Sequence, residues 1–212
     1  MASLRISSST PCAMEKKVVR CWKTKNPLYI KYHDEEWGVP LHDDYKLFEF
    51  LILDGFQAGL TWELILKRRE ALRKAFDNFE PDKMARYNDG DVQRLMNNPD
   101  VIRNKAKILG AINNARRFHE IKKDSGSFDK FIWQFVEGKT IDHGLKDYSN
   151  LPPDSEESRT MSKELKKRGF KFVGPTICYV FMQAAGLVND HLVHCFRYNQ
   201  IKRMTRSRKN RQ

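Results

Sequence analysis

Residues 165–176 read Leu165-Lys166-Lys167-Arg168-Gly169-Phe170-Lys171-Phe172-Val173-Gly174-Pro175-Thr176, and this stretch decides the fold of the second half of the chain. It predicts the end of one helix, a turn bounded by two glycines, and a second helix that starts at Pro175. Glycine suits such turns, and proline suits the first turn of a helix. We expect the first helix to begin at Ser162 and Gly186 to end the second, so that residues 162–186 form a helical hairpin.

The rest of the chain has apolar residues at helical spacing. Asp43 and Asp44 are expected to cap a helix that Gly55 ends, and Thr61 starts the next one. Residues 138–158 are polar and contain proline, which is typical of a connecting loop. No alternating strand pattern is present, so we predict an all-α fold. Further helices are expected to begin at Pro81, Asp89, Asp100 and Ser127.

Length and composition predict one globular domain with short extensions. The chain has 212 residues, of which 40% are hydrophobic. It contains no apolar run of the roughly 18 residues that a membrane-spanning helix needs, so we predict no membrane-spanning helix. We predict a disordered leader over residues 1–18, a folded domain over residues 19–198 and a basic, disordered tail over residues 199–212.

The same features predict where the protein works. The Ser-rich leader lacks the apolar segment of a secretory signal, and a transit peptide is the alternative interpretation of the leader. Four cysteines do not make a disulfide framework in a chain of this size. We therefore expect a monomer that is not secreted and works in a reducing compartment. The basic tail indicates the nucleus if the source is eukaryotic, and otherwise we expect the cytoplasm.

The net charge of +12 is concentrated in two short segments. Residues 159–174 carry six basic side chains and one acidic one, and residues 197–212 carry seven basic side chains and no acidic one. Residues 1–158 are close to neutral, with 26 basic and 25 acidic side chains. A solvated face and a solubilising tail would explain this excess, but its position beside a glycine-bounded turn favours a polyanionic partner.

The glycine-bounded turn has the features of a phosphate-binding hairpin. Glycines let the backbone approach a phosphate, the N–H groups that open the second helix favour an anion, and nearby cations add salt-dependent affinity. A helix-hairpin-helix holds a DNA backbone in this way without reading its sequence. An ordinary helical hairpin with a basic surface is the alternative. The candidate DNA-binding residues are Lys163, Lys166, Lys167, Arg168, Gly169, Lys171, Gly174 and Thr176.

Cysteine and histidine near the two chain ends form a candidate metal site. Cys21 and His33 lie near the start, and His191 and Cys195 are four residues apart, which on one helical face would bring both ligand atoms together. Thiolate and imidazole ligands favour zinc over magnesium or calcium, although each residue taken singly also fits a buried core position. Four protein ligands would close the shell and make the zinc structural. Residues 33–35 also match the H-x-E half of a zinc-deaminase signature, but the P-C-x-x-C half is absent from the sequence.

Aromatic residues cluster around His33 and after a single acidic residue. Such residues are commonly core residues. They also have the composition of a pocket for a flipped base, which needs aromatic faces for stacking and a few polar groups for the base edge. A carboxylate in such a pocket would favour a cationic ring. The set comprises Tyr29, Tyr32, Trp37, Asp54, Gln57 and Trp62.

Together, these stretches resemble the 3-methyladenine DNA glycosylase I family, a divergent branch of the helix-hairpin-helix glycosylases. The resemblance covers residues 19–198 and includes the sequences PLYIKYHDEEWGVP and QAGLTW. Several motifs occur in the family's order, which makes the resemblance specific. The matching stretches are residues 21–22, 27–40, 57–62, 67–70, 102–105, 162–176, 182–184 and 187–191.

The resemblance implies a monofunctional DNA glycosylase of base excision repair. Such an enzyme flips 3-methyladenine out of double-stranded alkylated DNA and hydrolyses its N-glycosidic bond, leaving an abasic site. The implied cofactor is a structural Zn²⁺, held as a clip between the N- and C-terminal segments of an all-α, helix-hairpin-helix glycosylase-like fold. The implied zinc ligands are Cys21, His33, His191 and Cys195.

The resemblance also implies roles for the aromatic set. We expect Asp54, Tyr32 and Trp62 to be catalytic. The turn over residues 57–60 is expected to probe the gap that a flipped nucleotide leaves, with Leu60 as the wedge. The implied base-binding residues are Tyr29, Trp37, Gln57 and Leu60.

Three positions depart from this pattern or limit the mechanism. Asp54 stands where the family usually has glutamate, so its shorter side chain is expected to change its reach toward the base. Cys21 and His33 are about one residue closer in sequence than in the family, which requires an adjustment in residues 23–26. Asn189 occupies the position where many helix-hairpin-helix glycosylases carry a catalytic aspartate, and a neutral amide suffices if the leaving base is already cationic.

Two other functions remain as alternatives. The first is a catalytically silent DNA-binding module that keeps the hairpin and a structural zinc while Asp54 weakens the pocket. The second is a zinc hydrolase acting on nucleotides, which a closed metal shell disfavours, because catalytic zinc keeps an open coordination position.

Overall fold

The computed structural model describes the backbone of residues 18–209 and the side chains of residues 18–205. The predicted leader, apart from Val18, lies outside the described residues, as do residues 210–212. In the described part the chain is mostly helical, which agrees with the predicted fold class. The helices are α1 (Pro27–Glu35), α2 (Asp44–Gln57), α3 (Trp62–Ala75), α4 (Pro81–Met84), α5 (Asp89–Asn97), α6 (Lys105–Ser125), α7 (Phe128–Trp133), α8 (Glu156–Lys167), α9 (Pro175–Ala184) and α10 (Phe196–Lys209). Short 3-10 turns cover Asp77–Phe79 and Gln134–Val136, and two strands are β1 (Ile141–Asp142) and β2 (Val188–Asn189).

The predicted helix starts are confirmed where a local cap defines them. The Asp43 carboxylate accepts hydrogen bonds from the backbone N–H groups of residues 45 and 46 at the start of α2. Thr61 caps α3 and Ser127 caps α7 through their hydroxyl groups. Pro175 occupies the first turn of α9. These caps satisfy N–H groups that have no partner inside the helix.

Two predicted helix boundaries in the first half of the chain were wrong: the end of α2 and the start of α6 both lie at later residues than predicted. Gly55 does not end α2, which continues to Gln57. Inside the helix Gly55 packs against Phe172, and a Cβ atom at Gly55 would lie 3.4 Å from the Cβ of Phe172. Asp100 does not begin α6; Asn104 caps that helix instead, accepting a hydrogen bond from the N–H of Lys107.

The first helix of the hairpin is longer than predicted. It begins at Glu156 rather than at Ser162, because Ser155 and Ser158 form a capping box. Ser162 is buried in the middle of α8, and its hydroxyl donates a hydrogen bond to the carbonyl of Val173 at 2.6 Å. Ser162 therefore ties α8 to the turn that leads into α9.

The predicted disordered tail is helical as far as Lys209. Ile201 is fully buried, and the Lys202 ammonium lies 2.8 Å from the Asp142 carboxylate. Tyr198 donates a hydrogen bond to the same carboxylate. These contacts, together with the favourable helix propensity of arginine, lysine and glutamine, explain why α10 continues past residue 199.

A two-residue parallel strand pair interrupts the predicted connecting loop. Ile141 pairs with Val188, and Asp142 pairs with Asn189. The alternating pattern used to predict strands cannot be seen in elements of two residues. This pairing holds the start of the loop beside the segment that contains His191.

Helix α2 is the central element, because residues 47–56 are all buried. Its apolar side chains pack with phenylalanines from α6 and α7; the Phe48 ring centroid lies 5.3 Å from that of Phe118. Two carboxylates, Glu49 and Asp54, lie in this same buried stretch. Among the helices of residues 18–209, none combines the length and apolarity needed to span a bilayer.

Candidate functional site

An aromatic cavity of about 240 Å³ lies between the N-terminal segment and α9. It contains every aromatic residue that the sequence predicted for the base pocket, together with Gln57. The residues lining it are Trp22, Tyr29, Tyr32, Trp37, Gln57, Trp62, Tyr148, Leu151, Val180 and Gln183. The structure therefore brings together side chains from α1, α2, α3 and α9 and from the loop before α8.

The aromatic walls are rigidly packed. Tyr32 and Trp62 are buried, and their ring centroids lie 5.2 Å apart. On the N-terminal side, Trp22 lies 4.6 Å from Trp37 and 5.2 Å from Tyr29, measured between ring centroids. Each ring thus fixes its neighbour, and the cavity is formed before any ligand arrives.

Asp54 is close to the cavity but does not line it. The side chain is fully buried in α2, and neither carboxylate oxygen has a hydrogen-bond partner among the described residues. Burial raises the pKa of Asp54 well above its usual range, and the Arg69 guanidinium offsets this only in part. Burial, followed by the nearby Asp54 charge, raises the pKa of Tyr32. Asp54 therefore lies behind the cavity wall, close to Tyr32, rather than in the cavity itself.

Several buried polar atoms near the cavity are unpaired. The Trp62 indole N–H and the Gln57 carbonyl oxygen have no partner among the described residues. Both polar atoms of the Asn189 side chain, which is buried in β2 and does not line the cavity, are also unpaired among the described residues. Unpaired buried polar groups are costly, and at a cavity they indicate a place for a ligand with complementary groups.

Five of the lining residues were not predicted. Trp22 and Gln183 lie in stretches that carried the family resemblance, but no role was assigned to them. Tyr148 and Leu151 belong to the segment predicted as a mere connection, although surface loops often carry binding residues. Val180 had no distinguishing signal, because it lies in the apolar run of α9.

A tight turn follows Asp54 and carries the predicted wedge. The N–H of Leu60 donates to the carbonyl of Gln57 at 2.6 Å, and Gly59 has a φ of +73°. Nothing lies near the position that a Cβ of Gly59 would take. The Leu60 side chain is 37% exposed and stands outside the cavity. An apolar side chain is thus presented on a turn at the molecular surface.

The four predicted metal ligands meet at one point. All four candidate ligand atoms lie within 4.8 Å of one another. The Cys21 Sγ lies 3.4 Å from the His191 Nδ1, and the Cys195 Sγ lies 3.5 Å from the His33 Nε2. Zn–S and Zn–N bonds of about 2.3 and 2.0 Å in a tetrahedron require ligand atoms separated by about 3.3 to 3.8 Å. The donor set therefore fits zinc, and these two sulfur–nitrogen separations lie within the required range.

Both histidines are oriented by further hydrogen bonds. The His33 Nδ1 lies 2.7 Å from the Asp34 carboxylate, which also binds Arg20. The His191 Nε2 donates to the backbone carbonyl of Trp37 at 3.0 Å. Such outer contacts fix which ring nitrogen faces a metal.

One expectation about this cluster was wrong. His191 and Cys195 do not share a helical face; they lie in the irregular segment just before α10, where the N–H of Cys195 bonds to the carbonyl of Leu192. The short spacing between Cys21 and His33 does not separate them, because the backbone N–H of Cys21 reaches the His33 Nε2 at 3.3 Å. A turn, rather than a helix, brings His191 and Cys195 together.

Asp190 links the metal cluster to the cavity. It is buried and accepts hydrogen bonds from Tyr179 and Gln183, each at 2.8 Å, and from His143 at 2.6 Å. Burial opposes its ionisation, but the three hydrogen bonds, that from His143 foremost, outweigh burial and lower the pKa of Asp190. The Tyr148 hydroxyl donates to the Asp190 carbonyl at 3.0 Å. Two cavity side chains are thus anchored beside His191.

The predicted DNA-binding residues do not all share one face. Lys163, Lys167 and Arg168 line a groove between α8 and α7. The Arg168 guanidinium is already engaged, at 3.1 Å from both Glu164 and Asp124. By contrast, the turn residues Gly169 and Lys171 lie against α6, and Gly174 and Thr176 open α9. Lys166 is exposed on α8.

Comparison with known proteins gives one consistent family. The family model described as methyladenine glycosylase matches residues 22–198. DNA-3-methyladenine glycosylase 1 of Escherichia coli (strain K12) is 48% identical over 180 residues, which cover 84% of this chain and 96% of that protein.

Solved structures agree with the sequence match. A crystal structure of 3-methyladenine DNA glycosylase I superposes with a TM-score of 0.82 at 47% identity, covering 84% of this chain and 98% of that one. The 3-methyladenine DNA glycosylase I of Staphylococcus aureus, whose structure addresses 3-methyladenine recognition, gives a TM-score of 0.80 at 40% identity, covering 82% and 92%. This chain belongs to the methyladenine glycosylase family.

Proposed function

We propose that the protein is a monofunctional DNA glycosylase that extrudes 3-methyladenine from double-stranded DNA and hydrolyses its bond to the sugar. The observation that carries this proposal is the preformed aromatic cavity with unpaired polar atoms beside it. The relatives named as DNA-3-methyladenine glycosylases support the choice of base.

A methylated adenine suits the cavity in both shape and charge. Aromatic faces attract a flat cation, and this attraction strengthens when water is excluded. The Trp62 N–H can donate and the Gln57 carbonyl can accept a hydrogen bond from the edge of the base. Asp54, when ionised, adds a negative potential behind Tyr32. The cavity thus favours a cationic purine over a neutral one.

The same arrangement explains how the bond to the sugar breaks. A cationic purine is a good leaving group, so a general base contributes less than binding of the extruded nucleotide in a site that favours the transition state. Asn189 is neutral and cannot act as a base, which this substrate class tolerates. Among the described residues that line the cavity there is no lysine to attack the sugar carbon. We therefore propose simple hydrolysis to an abasic site, without strand cleavage.

DNA would be held by the hairpin and probed by the turn that carries Leu60. The N–H groups at the start of α9 and the exposed Lys166 and Lys171 would bind backbone phosphate. Leu60 would fill the gap left by the extruded nucleotide. We expect the protein to act as a monomer.

We also propose that Cys21, His33, His191 and Cys195 hold a structural Zn²⁺. Support comes from the ligand-atom spacing and from the outer hydrogen bonds to Asp34 and the Trp37 carbonyl. The four side chains would close the coordination shell, so the ion would clip the chain ends together and take no part in hydrolysis.

The test is chromatography of the bases released from methylated duplex DNA by the purified protein. We expect free 3-methyladenine, intact strands, and abasic sites that alkali converts to breaks. A protein that binds the duplex but releases no base would instead be a DNA-binding module without activity. Strand breaks formed without alkali would contradict monofunctional hydrolysis.

A further inference from the structure

One face of α6 supports the two elements that the proposed function brings to DNA. Lys107, Gly110 and Asn114 are spaced three and four residues apart, so they lie along one side of the helix. Lys107 contacts the turn that carries Leu60, and Gly110 and Asn114 contact the hairpin turn. We infer that Lys107 is a positioning residue that holds the Leu60 turn in the conformation that enters the duplex.

The Lys107 side chain is committed to that turn. Its ammonium donates hydrogen bonds to the carbonyls of Phe56 at 2.8 Å and Ala58 at 2.6 Å. The residue is 7% exposed, and among the ion pairs of the described residues none includes it. Burial lowers the pKa of Lys107. A buried lysine without a carboxylate partner needs a specific reason, and here the reason is the pair of backbone carbonyls.

The two carbonyls lie where α2 ends and the turn begins. The last carbonyl groups of a helix have no partner inside the helix, and they attract a cation. Ala58 has left the helical conformation, and Gly59 follows with a positive φ. Without the Lys107 ammonium, Phe56 and Ala58 would each lose a partner, and the turn could take other conformations. Leu60 would then be presented in several directions.

The hairpin is fixed to the same face of α6. The Asn114 side chain accepts from the N–H of Lys171 at 2.8 Å and donates to its carbonyl at 2.9 Å. Phe172 follows with a φ of +57°, which is unusual for a bulky residue, and its ring covers Gly110. A Cβ at Gly110 would lie 2.8 Å from that ring. The helix thus sets the spacing between the phosphate-binding turn and the Leu60 turn.

The inference rests on the proposed function and predicts a selective defect. A duplex with a stable abasic analogue already contains the gap that Leu60 would fill, whereas an undamaged duplex does not. Affinity for undamaged DNA depends mainly on phosphate contacts. We expect Lys107→Met to lower the preference for abasic over undamaged duplex at least about tenfold, because hydrogen bonds from a charged donor are among the stronger ones.

The experiment compares three full-length proteins at one fixed salt concentration. These are the parent, Lys107→Met, and Lys123→Met as the matched control, since Lys123 is an exposed lysine at the far end of α6. Each is titrated against a duplex with a tetrahydrofuran abasic site and against the undamaged duplex, and base release from methylated DNA is measured in parallel. Lys123→Met should keep the parent's preference and its rate of base release.

The outcomes separate this inference from the proposed function. If the parent releases no 3-methyladenine, the proposed function fails. If the parent is active but does not prefer the abasic duplex, or if Lys107→Met keeps the preference, the positioning role is wrong. Equal losses on both duplexes would indicate general destabilisation and would also overturn the inference. A lost preference together with reduced base release would support it.

Discussion

Replacing Asp54 by asparagine removes a charge behind the cavity while leaving the side-chain shape almost unchanged. In the fold, burial raises the pKa of Asp54 well above its usual value. Its contribution to stability is therefore fully present below the unfolded pKa of about 3.9 and is lost as the pH rises through the folded pKa. Asparagine does not ionise, so we expect Asp54→Asn to unfold at the same temperature as the parent or higher at pH 8.

The expected effect on base release has the opposite sign. Two unit charges about 6 to 8 Å apart, at an effective dielectric constant of about 20, interact by about 2 to 3 kcal/mol. A cationic base in the cavity would lose this attraction in the variant. We expect a reduction of about ten- to a hundredfold in the single-turnover rate at a pH where the parent carboxyl is ionised. The parent rate should rise with pH as Asp54 ionises, and the variant should lack this rise.

The assay is chromatography of 3-methyladenine released from methylated duplex DNA, with enzyme in excess, between pH 6 and 9. Asp54→Glu is the matched control, because it keeps the acid and restores the longer side chain usual in the family. It should match or exceed the parent. An unchanged rate for Asp54→Asn across this pH range would refute the electrostatic role and leave Tyr32 and Trp62 to hold the base alone.

Three further predictions follow from other parts of the molecule. Cys195→Ala should lower the melting temperature and the bound zinc measured by elemental analysis; a metal-free protein of normal stability would contradict the structural zinc. Substituting Lys166, Lys167 and Lys171 together should weaken binding to all duplexes alike and flatten the salt dependence by about 0.9 per lost phosphate contact, whereas unchanged affinity would exclude the hairpin. Glu49 is buried, and although burial opposes its ionisation, its arginine and lysine partners lower its pKa, so its stabilisation is present above pH 4.3 or so and is lost as the pH falls through the folded pKa. Glu49→Gln should therefore cost about 3 kcal/mol in denaturant unfolding at pH 7 and progressively less in acid, and a cost that did not depend on pH would contradict this.

Helix starts could be predicted where a single residue determines them. Asp43, Thr61, Ser127 and Pro175 act through groups on their own or the next few residues, so the local sequence contains the information. Gly55 does not end α2; it lies within the helix and packs against Phe172, a residue distant in sequence. A glycine can either end a helix or lie inside one against a neighbouring element, and only the tertiary structure distinguishes these two roles.

Some residues of the candidate site likewise have a local sequence signal, and others do not. His191 and Cys195 were recognisable as a pair from their spacing, but Cys21 and His33 were joined to them through the family resemblance. The four-residue spacing predicts a shared helical face, whereas the two side chains approach each other across a turn. Tyr148 had no local signal at all, because it lines the cavity through a hydrogen bond to the Asp190 carbonyl, 42 positions along the chain.

The junction of Cys21 with His191 joins residues 170 positions apart, and this has a consequence for synthesis of the protein. The cavity takes Trp22, Tyr29 and Trp37 from the first part of the chain and Gln183 from the last, so a nascent chain on the ribosome holds half a pocket. Closing a loop of this length costs about 4.5 kcal/mol in chain entropy beyond a constant, well within the 10 to 16 kcal/mol or so of a structural zinc site. We therefore expect base release to begin only after Cys195 has left the exit tunnel, and we expect prematurely terminated chains that stop short of it to release no base from DNA.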